Sequence, residues 1–437
     1  MLLKNSKSIN NSIIYSVFVR NFSEEGTFKA VEDKLDNLRE LGVDIIWLMP
    51  FYPIGIKKKK GSFGSPYSIR NHQEIANEYG TIEDFKKLCD AVHKNGMKII
   101  IDIVFNHTAL DSDLVKQHPE WFYKKPNGEF GNKVGDWTDI IDLDYSNREL
   151  WSYQIDILKY WIANGVDGFR CDVASLIPLD FWKQARKAIN EIKPDCIWLA
   201  ESIDHNFIRY MRSKNLIAHS DGELYEVFDI TYDYDIRHIF NSYLNNDIVL
   251  SRYVEAIQMQ EAIYPSDYIK MRFLENHDQP RIASLVTSKK GLLGWTAVSL
   301  FLKGCTLIYN GQEVGSEHLP NLFEKDVIDF TESGTNLWFF LRQLKHLRDE
   351  IPEESVCELV PIDTLDILII KYYHNDFVTM LFASLKGKTG VIDVELQDGN
   401  YINKIDGSVI AVHDNKINCR RDPIILTTNK FLKKGGK

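Results

Sequence analysis

Cysteine is scarce and scattered in this sequence: the six, at positions 89, 171, 196, 305, 357 and 419, make no CxxC pair and no metal-ligand spacing. That pattern excludes a zinc-finger or disulfide-stapled scaffold and fits buried, reduced thiols in a cytoplasmic protein. Long hydrophobic runs are also missing. The best, residues 45–52, falls far short of the ~20 residues that span a bilayer. Residues 1–11 are polar and lack the apolar stretch of a secretory signal. Positive charge is in deficit, with 52 Lys and Arg against 62 Asp and Glu and a net charge of −10. This balance argues against nucleic acid as a partner and leaves neutral or cationic ligands open. No internal repeat or low-complexity segment is present. The one charge run, residues 57–60, reads as a solvated loop.

What is there is ordinary globular material, 44% hydrophobic and 26% charged over 437 residues, about three times the ~150 of a typical domain. Strand-like runs at 13–19, 43–48, 98–105, 166–173, 196–201, 224–230, 269–274 and 305–309 alternate with helical periods, among them 27–41, 81–95, 148–163 and 179–192. Gly80-Thr81 with Asp84 three residues on marks a helix start, and Gly42, Gly96 and Gly165 follow helix ends. Eight strands in unbroken alternation with helices predict an α/β fold, a closed (β/α)8 barrel, over residues 1–107 and 142–351. Residues 108–141 break the rhythm and read as a small insertion after the third strand. From 352 to 437 the helices stop, and short alternating runs predict a C-terminal antiparallel β-sandwich domain.

In such a barrel the C-terminal strand ends converge on one mouth. Here they read Asp102-Ile103-Val104-Phe105-Asn106-His107, Gly168-Phe169-Arg170-Cys171-Asp172-Val173, Leu199-Ala200-Glu201-Ser202 and Phe273-Leu274-Glu275-Asn276-His277-Asp278-Gln279-Pro280-Arg281. Separate strand ends thus deliver acids and two of them a histidine. Each residue alone has a structural explanation as a cap or salt-bridge partner; the joint pattern does not. Arg170 and Asp172 share one strand face, so the guanidinium favours the ionised carboxylate that suits a nucleophile. Glu201 lies on the next strand, ~4.8 Å across the sheet, beside an anion and an apolar Leu199-Ala200 wall. Its pKa should rise, which suits a proton donor. Carboxyls on adjacent strand ends would lie roughly 5–5.5 Å apart, the spacing of retaining glycosidases.

Those four strings resemble the four conserved regions of the α-amylase superfamily of retaining α-glycoside hydrolases and transglycosidases, in the family's order and over residues 1–350. The resemblance implies that Asp172 is the catalytic nucleophile, Glu201 the general acid/base and Asp278 the third carboxylate, which grips sugar hydroxyls. It implies that Arg170 stands beside the nucleophile and that His107 and His277 hydrogen-bond the sugar at the cleavage subsite, with Asp102 orienting that network. Tyr67, in Gly64-Ser65-Pro66-Tyr67, resembles the tyrosine that stacks under that sugar, and Arg281 closes the run placed in the substrate-binding set.

Two departures bear on specificity. The family often has an Asp-Tyr pair after that tyrosine, where this chain has Asn71-His72, and many α-amylases have Lys-His shortly after the nucleophile, where this chain reads Val173-Ala174-Ser175-Leu176. The resemblance therefore leans toward the branches that cleave short oligosaccharides. Family members that bind calcium use the Asn matching Asn106 with an Asp from the insertion, for which Asp142 is the candidate; turnover itself requires no cofactor. Two oxygens are far short of the six to eight that calcium takes. Trp121, in His118-Pro119-Glu120-Trp121, and Trp137, in Gly135-Asp136-Trp137, read equally as sugar platforms or as core of the insertion. The expected activity is hydrolysis of α-glucans or malto-oligosaccharides through a covalent glycosyl-enzyme, in a protein with no nucleic-acid or membrane partner. The alternatives are an α-glucanotransferase with the same residues and an oligo-1,6-glucosidase-like enzyme. A non-catalytic sugar-binding barrel would usually have lost a carboxylate, and all three are present. Linkage, chain length and oligomeric state are left open.

Overall fold

Short β-branched and aromatic runs, buried on both faces, build the centre of the molecule. The computed structural model describes residues 9–135, 137–331 and 335–432; the expected beginning at 1–8, the end at 433–437 and Asp136 lie outside the described residues. In chain order the first ten strands are β1 (Ile13–Val17), β2 (Ile45–Leu48), β3 (Lys98–Ile103), β4 (His107–Ala109), β5 (Ile140–Asp142), β6 (Gly168–Cys171), β7 (Ile197–Ala200), β8 (Ile230–Tyr232), β9 (Ile269–Arg272) and β10 (Cys305–Tyr309). Eight of them pair in parallel as β1-β2-β3-β6-β7-β8-β9-β10, and β10 returns to β1 to close the barrel. Continuous burial explains why these strands read as unbroken apolar runs rather than as alternating ones.

The helices between them follow the expected signals. Helix Ile82–Lys94 starts with a reciprocal Thr81–Asp84 capping box, and helix Arg148–Ala163 has the bounds its periodicity predicts. Two expectations are corrected. The period at 27–41 is two helices, Phe28–Glu32 and Leu35–Leu41, interrupted at Asp33 and Lys34. The sixth barrel strand is not 224–230: Asp221–Leu224 is a helical turn with a Ser220–Glu223 capping box, and the strand starts at Ile230. Leu224, Val227 and Phe228 are buried by a turn rather than by a sheet, and an apolar run that short has no period to tell the two apart.

The insertion is tied at its base by a two-stranded antiparallel ribbon, β4 with β5, which pairs His107 with Asp142. Trp121 is buried among insertion side chains and stacks on His118, so it is core. Past the barrel come β11 (Val356–Ile362), β12 (Ile367–His374), β13 (Phe377–Ser384), β14 (Gly390–Asp393), β15 (Gly399–Ile402), β16 (Val409–His413), β17 (Lys416–Cys419) and β18 (Ile424–Thr428). They form two four-stranded antiparallel sheets, β11-β12-β13-β18 and β14-β17-β16-β15, which share a core of Ile369, Met380, Ile410 and Ile417.

Gly168 opens β6, where a Cβ would stand 2.3 Å from the Ile197 carbonyl oxygen of β7. Backbone on the other side cannot yield. Gly168→Ala is therefore expected to push β6 from β7 and destabilise the protein by about 1–3 kcal/mol, measured as a lower midpoint in thermal or urea unfolding.

Candidate active site

Side chains alternate along β6, so Phe169 and Cys171 point out to the helices while Arg170 points into the barrel mouth. Its guanidinium is fully buried and meets acids from three strands. Nη1 donates to Asp102 at the end of β3 (2.8 and 3.1 Å) and to Asp172 just past β6 (2.8 Å). Nη2 lies 2.9 Å from Glu201 Oε2, past β7, without the alignment of a hydrogen bond. Nε donates to the Tyr232 hydroxyl at 3.1 Å, and the rings of Trp47, Tyr67 and Tyr232 surround the cation at 5.2–5.7 Å. Burial alone would weaken the guanidinium's hold on its proton; Asp102 and Glu201 outweigh that and strengthen it.

Asp172 and Glu201 are neighbours by register. Cys171 pairs with Ala200, and the Glu201 N–H donates to the Cys171 carbonyl at 3.0 Å. Their environments differ. Asp172 accepts an aligned, charge-assisted bond from Arg170. Glu201 is pushed up to about 8: burial raises it, Arg170 opposes, Asp172 and Asp278 add to the rise, and the Val173 N–H at 2.7 Å pulls it back slightly. One carboxyl accepts the cation's aligned hydrogen bond, while its neighbour, Glu201, retains a proton at neutral pH.

The remaining residues converge on the same mouth. The Tyr67 hydroxyl lies 3.2 Å from Asp102 Oδ2 and 2.8 Å from His277 Nε2, and the two rings stack at 5.4 Å. His277 Nε2 is also 3.2 Å from Asp278 Oδ2. A proton on Nε2 satisfies this chain, with Tyr67 donating onward to Asp102. Burial lowers the pKa of His277, which favours the neutral ring. Asp278 has 47% of its side chain exposed and is the carboxylate that faces outward. His107 donates from Nε2 to the Tyr67 carbonyl (3.2 Å) and accepts at Nδ1 from Asn106, with Trp137 of the insertion 5.6 Å from its ring.

Arg281 requires correction. It is fully buried, and its nitrogens are spent on Glu275 (2.6 Å) and on the carbonyls of Asn310 and His318 (2.9 Å each). Past the strand end it neutralises buried Glu275 instead of facing a ligand. Asn106 and Asp142 meet, but not as a calcium cradle. The Asn106 carboxamide turns its nitrogen to Asp142 Oδ1 (3.4 Å), Asp142 Oδ2 accepts the Lys133 N–H (2.7 Å), and the Lys133 ammonium reaches the Leu143 carbonyl (3.4 Å). A lysine already supplies positive charge there, and the oxygens present do not fit the ion.

Three residues of the site had no sequence assignment. Trp47 and Tyr232 pack on Arg170, and Tyr234 stacks on Tyr232 and accepts from Asn276 (2.8 Å). Misplacing the sixth strand hid both tyrosines; the end of the second strand did signal Trp47. The two departures also find their places. His72 is core, bonded to the Val104 carbonyl, with burial lowering its pKa to about 4. Ser175 is buried, and Leu176 belongs to an apolar cluster with Ile203 and Met211 against which Val134, Trp137 and Val173 pack.

Comparison with known proteins agrees with this geometry. The family model for the α-amylase catalytic domain matches residues 6–337, and that for the bacterial α-amylase C-terminal domain matches 358–426. An α-amylase from Lactobacillus plantarum superposes with a TM-score of 0.91 at 42% identity, covering 96% of this chain and 99% of that one. A noncanonic maltogenic α-amylase, AmyB from Thermotoga neapolitana, superposes at 0.85 with 34% identity over 96% and 98%. Alpha-amylase 3 of Dictyoglomus thermophilum is 28% identical over 344 residues, 70% of this chain, and the chain spans 64% of that relative's length.

Proposed function

The chain belongs to the α-amylase family, and on that footing we propose that it is a retaining α-glycoside hydrolase of short malto-oligosaccharides, with Asp172 as nucleophile and Glu201 as general acid/base. One observation carries the reading: a single buried guanidinium gathers Asp102, Asp172 and Glu201, with the last two side by side in strand register. Adjacent strands supply the short carboxyl separation that a covalent glycosyl-enzyme needs.

Asp172 attacks the anomeric carbon while Glu201 gives its proton to the departing oxygen. The glycosyl–Asp172 ester is then opened by a water whose proton returns to Glu201, restoring both groups. Two N–H groups crowd Oε2 of Glu201, so the transferable proton sits on Oε1. Asp278, His277 and Tyr67 are the groups placed to bind the sugar's hydroxyls and face. The preference for short substrates rests on the leaving side, where Ser175 and Leu176 offer no cation to grip a longer chain.

That side also favours a second reading, transfer to a sugar hydroxyl instead of water. Val134, Trp137, Val173 and Leu176 form an apolar surface beside the two catalytic carboxylates, which discourages ordered water. Six cysteines outside any disulfide, five of them buried, support residence in a reducing compartment, the cytoplasm. Among the described residues no helix is long and apolar enough to cross a membrane.

Three outcomes test the reading. Asp172→Asn should lower kcat on maltotriose by several orders of magnitude without moving the unfolding midpoint much; near-normal turnover would end the assignment, and wild-type products longer than maltotriose would favour transfer. Because Glu201 must be protonated to act as acid and its pKa is pushed up to about 8, kcat/KM should fall as pH rises through that value. A limb centred near 5 would contradict it. Millimolar EDTA should leave both rate and Tm unchanged; a drop in Tm reversed by calcium would place the ion between barrel and insertion after all.

A further inference from the structure

Val173 follows the nucleophile with φ +36° and ψ +44°. Of the nine non-glycine residues at positive φ among those described, seven are Asn or Asp, one is Lys58, and Val173 alone is β-branched. A β-branched side chain is a true outlier there, and such strain persists only where the surroundings impose it. They do so on both sides. The Asp172 N–H donates to the Ile103 carbonyl (2.9 Å), the Leu176 N–H to the Val173 carbonyl (2.8 Å), and the Val173 side chain packs on the cluster of Leu176, Ile203 and Met211. The conformation aims the Val173 N–H at Glu201 Oε2, 2.7 Å away.

Resting on the hydrolase reading above, we propose that Val173 is a positioning residue for the reaction: its left-handed backbone pins Oε2 of Glu201 and thereby presents Oε1, with the proton, to the leaving oxygen. The amide is the pin, and the side chain's packing on the cluster accompanies it. An asparagine would sit in this conformation with less strain, but it would not join the apolar cluster that clamps the turn. The other charged or titratable groups facing Glu201 are Arg170 and Asp172 from β6, Asp278 past β9, and Tyr232 and Tyr234 at the end of β8. None of them can replace an N–H fixed in the chain next to the nucleophile.

The test removes the donor and keeps the side chain. Replacing Val173 by α-hydroxyisovaleric acid, by nonsense suppression in the full chain, turns the N–H into an ester oxygen and keeps the side chain. For maltotriose, kcat/KM should fall roughly tenfold, the worth of one charge-assisted bond. The alkaline limb should move up by about one unit, since the lost N–H favoured the ionised form. Turnover of α-maltosyl fluoride, whose departing fluoride needs little protonation, should fall much less; a general loss of fold would lower both alike. Val173→Asn keeps the N–H in a conformation that asparagine adopts readily, and should leave the midpoint of the limb in place. An unmoved limb and an unchanged maltotriose-to-fluoride ratio in the ester variant would overturn the proposal, as would a limb displaced equally by Val173→Asn. Those results count against Val173 only if the wild type cleaves maltotriose; a wild type without turnover overturns the hydrolase reading itself.

Discussion

Arg170 is withdrawn from water, and a guanidinium left alone in that position would cost several kcal/mol. Asp102 and Asp172 accept its hydrogen bonds and the Glu201 carboxyl lies beside it, from three different strand ends, while the rings of Trp47, Tyr67 and Tyr232 surround it. The same cation then treats two neighbouring acids unequally. Asp172 receives an aligned N–H, whereas Glu201 receives an off-axis contact, deep burial and two anionic neighbours. That asymmetry is what the proposed division of roles between the two acids rests on. Everything the site can do follows from keeping one charge buried and three carboxylates turned toward it.

The parts around the barrel modify this centre without supplying its chemistry. The insertion is closed by the His107–Asp142 pair, which brings Trp137 next to a site histidine. Lys133 brings its ammonium to this joint, 3.4 Å from the Leu143 carbonyl. On the leaving side the turn after Asp172 is apolar and strained. Its side chains pack with Ile203 and Met211, and its backbone places the Val173 N–H 2.7 Å from Glu201.

Much of this was legible beforehand, and the reasons are physical. Strands buried on both faces leave long apolar runs, and a polar residue at the end of such a run has few places to go except the barrel mouth. Asp102, Arg170, Asp172, Glu201 and His277 were all found that way. Arg281 was not, because its position beyond Pro280 left the strand's alternation and its partner, Glu275, was hidden in the same string. Tyr232 and Tyr234 were missed because the apolar residues before them form a helical turn, which a short run cannot distinguish from a strand.

The amino-acid order by itself determined the alternation of strands and helices, the eightfold closure that follows from it, and which strand ends carry acids, since these depend on periods of two and 3.6 residues along the chain. That the acids differ was already expected from strand alternation; only the folded molecule decided through which contacts they differ. That distinction depends on which nitrogen of Arg170 each oxygen meets, on burial, and on a left-handed valine amide, and those contacts join residues from β3, β6, β7 and β9 that no local pattern relates.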